Sequence, residues 1–188
     1  MKITTLSYIQ LNEACQEMSE KVMLFTGRTP DIIVGIRTGG EYIAGMMASH
    51  LDVSSLVYTK ASRPGKGMRS RLTPLLKKLP SFLNDFLRIT EHLILNKSKN
   101  KNRHITLDES IDINNLLKDI PTPLILVTDD AVDSGATMHG TVSLLAKLFP
   151  NGRIVTAAVT VTTKNSIIIP DIYLYNNTLV RFPWSADY

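Results

Sequence analysis

One segment, from Leu124 to Met138, constrains the fold more than any other part of the chain. It reads Leu-Ile-Leu-Val-Thr-Asp-Asp-Ala-Val-Asp-Ser-Gly-Ala-Thr-Met, which is an apolar run, two adjacent acids, and then small and hydroxyl-bearing residues. A continuous apolar run is typical of a strand that is buried on both faces, as in a parallel sheet. We therefore predict a strand over Pro123–Thr128, a loop, and a helix over Met138–Phe149.

Similar patterns lie on both sides of this segment. Ile32–Ile36 is a β-branched run bounded by turn residues and predicts a buried strand, Glu41–Leu51 predicts a helix, and Val53–Thr59 predicts a second strand. A strand, a helix and a strand within about 30 residues form a βαβ unit with parallel strands. An amphipathic helix over 7–25 precedes this unit, and a strand over Arg153–Thr163 follows later. The predicted fold class is α/β, with a central, mainly parallel sheet flanked by helices.

The charge is distributed unevenly along the chain. The 188 residues include 21 Lys+Arg and 17 Asp+Glu, for a formal net charge of +4. Residues 53–103 alone hold 12 Lys+Arg and two acids, so this basic segment carries +10 and the remainder −6. Such a segment suits either an anionic ligand or a nucleic-acid surface, and composition does not choose between them.

Other features exclude whole classes of protein. No run approaches the ~20 apolar residues of a membrane-spanning helix, and the N-terminal residues soon turn polar and acidic, unlike a signal peptide. The single Cys15 excludes an internal disulfide and a cysteine-based zinc site, and it suits a reducing compartment. We expect one domain over residues 1–188, in the cytoplasm and without membrane contact.

The residues after the predicted strand have the chemistry of a site for ribose 5-phosphate. Ligands of open α/β sheets bind beyond the carboxyl ends of the strands. There, the loop Asp133–Thr137 offers backbone N–H groups, two hydroxyls and a helix N-terminus, which together suit a phosphate monoester. Gly135 lets the backbone approach closely. Asp129 and Asp130 would accept hydrogen bonds from vicinal sugar hydroxyls, and paired carboxylates also attract Mg²⁺. A plain turn and helix cap are the alternative for either half alone.

This arrangement resembles the signature of the type I phosphoribosyltransferases, which use 5-phosphoribosyl 1-diphosphate (PRPP). The resemblance implies a type I phosphoribosyltransferase-like fold with a small hood. It implies that PRPP and a purine base are the partners. It also implies that Mg²⁺ is held together with PRPP at Asp129 and Asp130. It also implies that Asp133 is the catalytic acid or base toward the purine N7. The implied ligands of the PRPP ribose and 5-phosphate are Asp129, Asp130, Ser134, Gly135, Ala136 and Thr137.

Two further segments resemble the parts of this family that handle pyrophosphate. Gly35-Ile-Arg-Thr-Gly-Gly follows the first strand of the βαβ unit, and the resemblance implies that Arg37, Thr38 and Gly39 bind pyrophosphate. A guanidinium suits this role because it can donate two hydrogen bonds to phosphate oxygens at once. Taken alone, a glycine-rich turn of this kind is more often a tight connection between a strand and a helix. The loop after the second strand takes the place of the mobile catalytic loop, whose implied pyrophosphate contacts are Lys60, Arg63 and Lys66. A solvated basic surface is the alternative for that loop.

The C-terminal part resembles the base-binding hood of the bacterial xanthine-guanine and hypoxanthine phosphoribosyltransferases. By that resemblance residues 165–188 contribute to the hood, Lys164 hydrogen-bonds a 6-oxo group, Leu179 covers the base face, and Val180 offers backbone groups to the base edge. The run ends in a similar Pro-Trp, and we interpret Trp184 as a structural plug.

The sequence also departs from this family. Ser185 stands where the xanthine-guanine enzymes have an acid associated with Mg²⁺, and Leu179 replaces a stacking aromatic. Residues 68–118, with two helical stripes of Leu and Phe, are predicted to be a helical insertion. We expect a homo-oligomer, a dimer or a tetramer.

Three hypotheses for function remain open. The first is a Mg²⁺-dependent purine phosphoribosyltransferase, with a 6-oxopurine as the expected acceptor. The second is a PRPP-binding regulator that contacts nucleic acid through its basic segment and has no turnover. The third is a transferase that acts on a non-purine acceptor.

Overall fold

A computed structural model describes residues 2–62, 104–108 and 112–185 of the chain. Within these residues there are eight strands and four helices, which is the mixed content that the sequence pattern predicts for an α/β fold. In chain order they are β1 (Lys2–Thr5), α1 (Tyr8–Thr26), β2 (Ile32–Ile36), α2 (Gly39–Leu51), β3 (Leu56–Ser62), β4 (His104–Leu107), α3 (Ile113–Leu117), β5 (Leu124–Val132), α4 (Ala136–Leu148), β6 (Arg153–Val161), β7 (Ile172–Asn176) and β8 (Thr178–Arg181).

Six of these strands form one central sheet in the order β4-β3-β2-β5-β6-β7. Every neighbouring pair is parallel except β3 and β4. β2 lies in the middle of this sheet and all five of its residues are buried, which agrees with its uninterrupted apolar sequence. The predicted α/β class with a mainly parallel sheet flanked by helices is confirmed.

The sheet has a hydrophobic core on each face. Successive residues of a strand point to opposite faces, so Ile33 of β2 packs under α1 and α2, whereas Ile32 and Val34 pack under α3 and α4. Cys15 of α1 is buried in the first core, and burial raises the pKa of its thiol to about 12. It therefore remains a protonated core residue rather than a reactive thiol.

The two ends of the described chain meet in a second, two-stranded sheet. β1 and β8 pair in parallel, from Lys2 opposite Thr178 to Thr5 opposite Arg181. Val180 and Phe182 extend the first hydrophobic core to this small sheet. The strand β8 lies in the part of the chain predicted to form the hood, whereas β1 was not predicted.

Several predicted boundaries need correction. β5 continues to Val132, so the acidic pair lies within the strand and not after it. α4 begins at Ala136, two residues before the predicted start. β3 continues to Ser62 and pairs with β4, so Lys60 belongs to a strand and not to the predicted mobile loop. Backbone pairing with β4 holds the end of β3 in a strand. The local sequence around Lys60 does not indicate that this pairing exists.

The predicted insertion over residues 68–118 is described only in its last part. Arg63, Lys66 and the rest of the segment up to residue 103 lie outside the described residues. His104–Leu107 is a strand of the central sheet, so this part of the segment is not helical, and the two helical stripes of Leu and Phe lie outside the described residues. Ile113–Leu117 is helical, and Ile113 and Leu117 are buried in the second core. None of the described helices combines the length and apolar content that crossing a membrane requires.

Two glycines give a matched test of how closely α2 packs on β2. A Cβ at Gly35 would lie 2.8 Å from the Gly40 carbonyl oxygen and 3.0 Å from Ala44 Cβ, so Gly35→Ala should destabilise the fold by about 1–3 kcal/mol. A Cβ at Gly45 would meet nothing within 4 Å, so Gly45→Ala should stabilise α2 by about 0.5–1 kcal/mol. Urea denaturation measures both, and equal effects of the two substitutions would contradict this packing.

Candidate active site

A cleft of about 490 Å³ opens where β2 and β5 end at the same edge of the sheet. The loop after β2 and the start of α2 form one wall, the end of β5 and the loop after it form another, and the C-terminal turn closes the third side. Its lining residues are Thr38, Gly39, Tyr42, Asp130, Ala131, Asp133 and Trp184.

A second cavity, of about 430 Å³, lies between the end of α1 and β7, where Leu24, Phe25 and Ile172 line it. Its carboxylate, Asp171, already accepts hydrogen bonds from the N–H and hydroxyl of Thr156 at 2.8 and 2.7 Å. The cleft at the end of β5 has the convergent polar groups of a ligand site and is therefore the candidate.

Two glycines bring the first turn of α2 against the end of β5. A Cβ at Gly39 would overlap the Asp130 carboxylate, and one at Gly40 would lie 2.9 Å from Asp129 Cα. The Thr128 hydroxyl donates a hydrogen bond to the Gly40 carbonyl oxygen at 3.3 Å across the same contact. These positions therefore need glycine because no side chain fits between the two backbones.

The Asp130 carboxylate lies at the base of the cleft with a donor on each oxygen. Its Oδ1 accepts a hydrogen bond from the Ala131 N–H at 2.8 Å, and its Oδ2 accepts one from Trp184 Nε1 at 3.0 Å. Its own N–H donates to Asp129 Oδ1 at 2.9 Å. Burial raises the pKa of Asp130; the nearby charge of Asp133 adds to the rise, and the hydrogen bonds oppose it.

Trp184 both packs on the core and lines the cleft, so the plug interpretation describes only part of its position. Its ring stacks on Tyr42, with centroids 4.5 Å apart, and on Phe182, with centroids 5.1 Å apart. Ser185 holds the turn, since its N–H donates to the Phe182 carbonyl oxygen at 2.8 Å and its hydroxyl accepts from the Phe182 N–H at 3.0 Å. Ser185, which stands where the xanthine-guanine enzymes have an acid, thus holds the backbone of this turn.

Asp133 is exposed at the start of the loop between β5 and α4. The Thr162 hydroxyl, just after β6, donates a hydrogen bond of 2.5 Å to Asp133 Oδ1. Gly135 ends the loop with φ of +74°, and a Cβ there would lie 2.9 Å from Ile168 Cγ2. Ser134 and Ala136 are half-buried and Thr137 is buried in the first turn of α4. The predicted phosphate loop therefore leads directly into a helix N-terminus beside Asp133.

Arg37 lies beside the cleft, and its guanidinium contacts protein groups. Its Nη2 lies 3.0 Å from Asp108 Oδ2, and the guanidinium lies over the Tyr58 ring, 5.5 Å from the centroid. Its Nε is 3.3 Å from Glu41 Oε2 but makes no hydrogen bond to any described residue. Of the three predicted pyrophosphate ligands, Thr38 and Gly39 line the cleft.

The predicted base-binding residues are not among the lining residues of the cleft. Lys164 is exposed in the turn after β6. Leu179 and Val180 are buried in β8, opposite Ile3 and Thr4 of β1. The side chain of Lys60 falls outside what the structure describes, as do Arg63 and Lys66.

Sequence reasoning did not single out several residues of this region, among them Tyr42, Phe182 and Thr162. Tyr42 is an aromatic residue in the first turns of the predicted helix, and Phe182 and Trp184 have the spacing aromatic-x-aromatic, so Tyr42 and Phe182 each carried a weak signal. The Thr162 hydroxyl carried none, because its partner Asp133 is 29 residues away in the chain.

Comparison with known proteins identifies the family of this chain. The profile of the phosphoribosyl transferase domain matches residues 5–187, which include both loops of the cleft. The chain belongs to the phosphoribosyl transferase domain family. No curated protein sequence matches this phosphoribosyl transferase domain protein.

Solved structures show the same fold at low sequence identity. The purine phosphoribosyltransferase of Pyrococcus horikoshii is 19% identical with a TM-score of 0.62, and the alignment covers 98% of this chain and 95% of that one. The xanthine-guanine-hypoxanthine phosphoribosyltransferase of Helicobacter pylori is 17% identical with a TM-score of 0.64 and the same coverage. A hypothetical protein of Neisseria gonorrhoeae with bound ppGpp is 15% identical, with a TM-score of 0.59, over 98% of this chain and 89% of that one.

The substitution Asp130→Asn tests the charge buried in this phosphoribosyl transferase domain. Because burial raises the pKa of Asp130, the folded protein binds this proton more tightly than the unfolded chain does. The ionised carboxyl therefore opposes folding as the pH rises through its folded-state pKa, and it contributes nothing below the unfolded-state value. We expect the difference in unfolding free energy to shift in favour of the variant as the pH rises above the ordinary carboxyl pKa and through the raised folded-state pKa. A difference that does not change with pH in urea denaturation would contradict the burial.

Proposed function

We propose that this protein transfers the 5-phosphoribosyl group from PRPP to a purine base, with a 6-oxopurine as the acceptor and pyrophosphate as the second product. One observation carries the proposal: Asp130 and Asp133, from the end of β5 and the loop after it, face the same cleft as Thr38 and Gly39. Groups suited to a sugar, a base and a leaving phosphate therefore converge on one space.

The sugar phosphate would bind at the end of β5 and the start of α4. Asp129 and Asp130 would accept hydrogen bonds from the vicinal hydroxyls of the ribose. The 5-phosphate would lie on the loop Ser134–Thr137, where the helix N-terminus offers backbone N–H groups and a favourable dipole. The positive φ of Gly135 lets the backbone turn so that these groups face one point.

The donor set fits a Mg²⁺ that arrives with PRPP. Carboxylate oxygens are suitable ligands, and Mg²⁺ usually keeps several waters and substrate phosphates in its shell. Residues 2–62, 104–108 and 112–185 contain no cluster of three or more His, Cys, Asp or Glu side chains that would form a closed cage. Asp129 and Asp130 would hold the ion together with PRPP oxygens. When bound, it would neutralise charge on the leaving pyrophosphate.

In the proposed reaction, the bond between the anomeric carbon and pyrophosphate breaks and a bond to a purine nitrogen forms. The transition state resembles an oxocarbenium ion, as in other glycosyl transfers. The backbone around Thr38 and Gly39 would stabilise the leaving pyrophosphate. Asp133 would accept the proton from the base, while the Thr162 hydroxyl fixes its Oδ1.

For its proposed role, Arg37 would have to exchange its contact with Asp108. Lys164 would reach the base only if the cleft closes. Arg37 would bind pyrophosphate by exchanging Asp108 for phosphate oxygens. Lys164, at the end of β6, would donate a hydrogen bond to the purine O6 and so favour 6-oxopurines over aminopurines. Leu179 and Val180 would shape the hood side of the base site.

A second candidate function is ligand binding without turnover. The Neisseria gonorrhoeae protein with bound ppGpp has the same fold, which favours a nucleotide- or PRPP-responsive regulator. The basic segment of residues 53–103 would then contact nucleic acid through phosphate groups.

A panel of acceptors separates these functions. With PRPP and Mg²⁺, we expect nucleotide and pyrophosphate to form with hypoxanthine, guanine or xanthine, and at most slowly with adenine or orotate. Product from adenine or orotate alone would contradict the proposed acceptor. If calorimetry shows that PRPP binds but no base gives product, the regulator is the better description.

The substitution Asp133→Asn tests the proposed base. We expect kcat to fall by about 10²–10⁴-fold, because the amide cannot accept the proton, while the KM for PRPP changes little. Thr162→Val, which removes the donor to Oδ1, should have a smaller effect of about tenfold on kcat. A wild-type kcat for Asp133→Asn would exclude this residue as the base.

A further inference from the structure

The hydrogen bond between Trp184 and Asp130 joins two residues 54 positions apart in the chain. It connects the turn after β8 to the end of β5, and both side chains line the same cleft. Its donor is the indole N–H and its acceptor is Asp130 Oδ2, at 3.0 Å. An aromatic side chain thus contacts the carboxylate to which the proposed function assigns the ribose hydroxyls.

The surroundings of Asp130 show what this bond adds. The Ala131 N–H donates to Oδ1, and the backbone of Gly39 lies so close to the carboxylate that a Cβ would overlap it. The bond from Ala131 comes from the next residue and holds only Oδ1. The indole N–H holds the second oxygen and thereby sets the plane.

The indole is itself held in place. Its ring stacks on Tyr42 at a centroid distance of 4.5 Å and an interplanar angle of 14°, and on Phe182 at 5.1 Å and 3°. Phe182 is buried in the first hydrophobic core. The Ser185 hydroxyl accepts a hydrogen bond from the Phe182 N–H and so holds the turn that carries Trp184. The position of the N–H donor is therefore set by the core of the protein.

We propose that Trp184 is a positioning residue: its indole N–H orients the Asp130 carboxylate so that the carboxylate accepts hydrogen bonds from the ribose hydroxyls of the substrate. This inference rests on the proposed function and adds a residue that acts on the sugar through Asp130. A preoriented acceptor loses no rotational freedom when the sugar binds, so the fixed geometry strengthens binding. The benefit applies to the vicinal diol and leaves the phosphate and base sites unchanged.

The test uses the fact that Trp184 is the single tryptophan of the chain. Growth of a tryptophan auxotroph on β-(3-benzothienyl)alanine replaces the indole N–H by sulfur at this position alone and keeps the size and stacking of the ring. Calorimetry then compares ribose 5-phosphate with 2-deoxyribose 5-phosphate, which lacks the vicinal diol. Protein labelled with 5-fluorotryptophan, which keeps the N–H, is the conservative comparison.

We expect the sulfur analogue to weaken ribose 5-phosphate binding by about tenfold, the value of one good hydrogen bond. Binding of 2-deoxyribose 5-phosphate should change by less than about twofold, and 5-fluorotryptophan should restore the preference for ribose. In turnover, the KM for PRPP should rise while the KM for the base stays the same.

Other outcomes overturn the inference in distinguishable ways. If the wild type binds ribose 5-phosphate and the analogue binds it equally well, Trp184 does not position Asp130, although the proposed function stands. Equal losses for both sugar phosphates would show a purely structural role. If the wild type binds neither sugar phosphate nor PRPP, the proposed function itself fails and the inference with it. If the analogue protein does not fold, Trp184→Phe, which also lacks the N–H donor, takes its place in the same titrations with the same criteria.

Discussion

The first turn of α2 lies directly against the end of β5, and the geometry of the cleft depends on this contact. The backbone of α2 can approach the backbone of β5 because Gly39 and Gly40 have no side chains. A Cβ at either glycine would collide with Asp129 or Asp130. The hydrogen bond from the Thr128 hydroxyl to the Gly40 carbonyl oxygen connects positions 88 residues apart. Parallel pairing of β2 with β5 sets the register, so both loops open at the same edge of the sheet. A larger residue at either glycine would separate the walls and displace Asp130.

The strands on either side of this contact, β2 and β5, could be predicted because their apolar sequences indicate burial on both faces of a sheet. β2 and β5 are apolar runs that need no knowledge of their partners, since any parallel sheet would bury them on both faces. The small sheet is different: β1 and β8 are four-residue strands from opposite ends of the described chain, and only their pairing makes them strands. β4 likewise follows a polar, lysine-rich run and is defined by its antiparallel contact with β3.

The candidate site shows the same division at the level of side chains. The acids at the end of β5 and the glycine-rich turn after β2 could be placed at one sheet edge, since both follow directly on apolar runs that predict neighbouring parallel strands. The contacts that orient these groups could not be predicted, because they depend on rotamers and on distant segments. Examples are Trp184 on Asp130, Thr162 on Asp133 and Asp108 on Arg37. The raised pKa of Asp130 is a result of such burial and has no local sequence signal.

A crystal structure of the protein with ribose 5-phosphate tests most directly whether the cleft at the end of β5 is a phosphoribosyl site. We expect the phosphate oxygens within hydrogen-bonding distance of the N–H groups of Gly135, Ala136 and Thr137. The sugar hydroxyls should contact the carboxylates of Asp129 and Asp130. A sugar phosphate bound instead between α1 and β7, or no bound ligand at saturating concentration, would contradict this assignment.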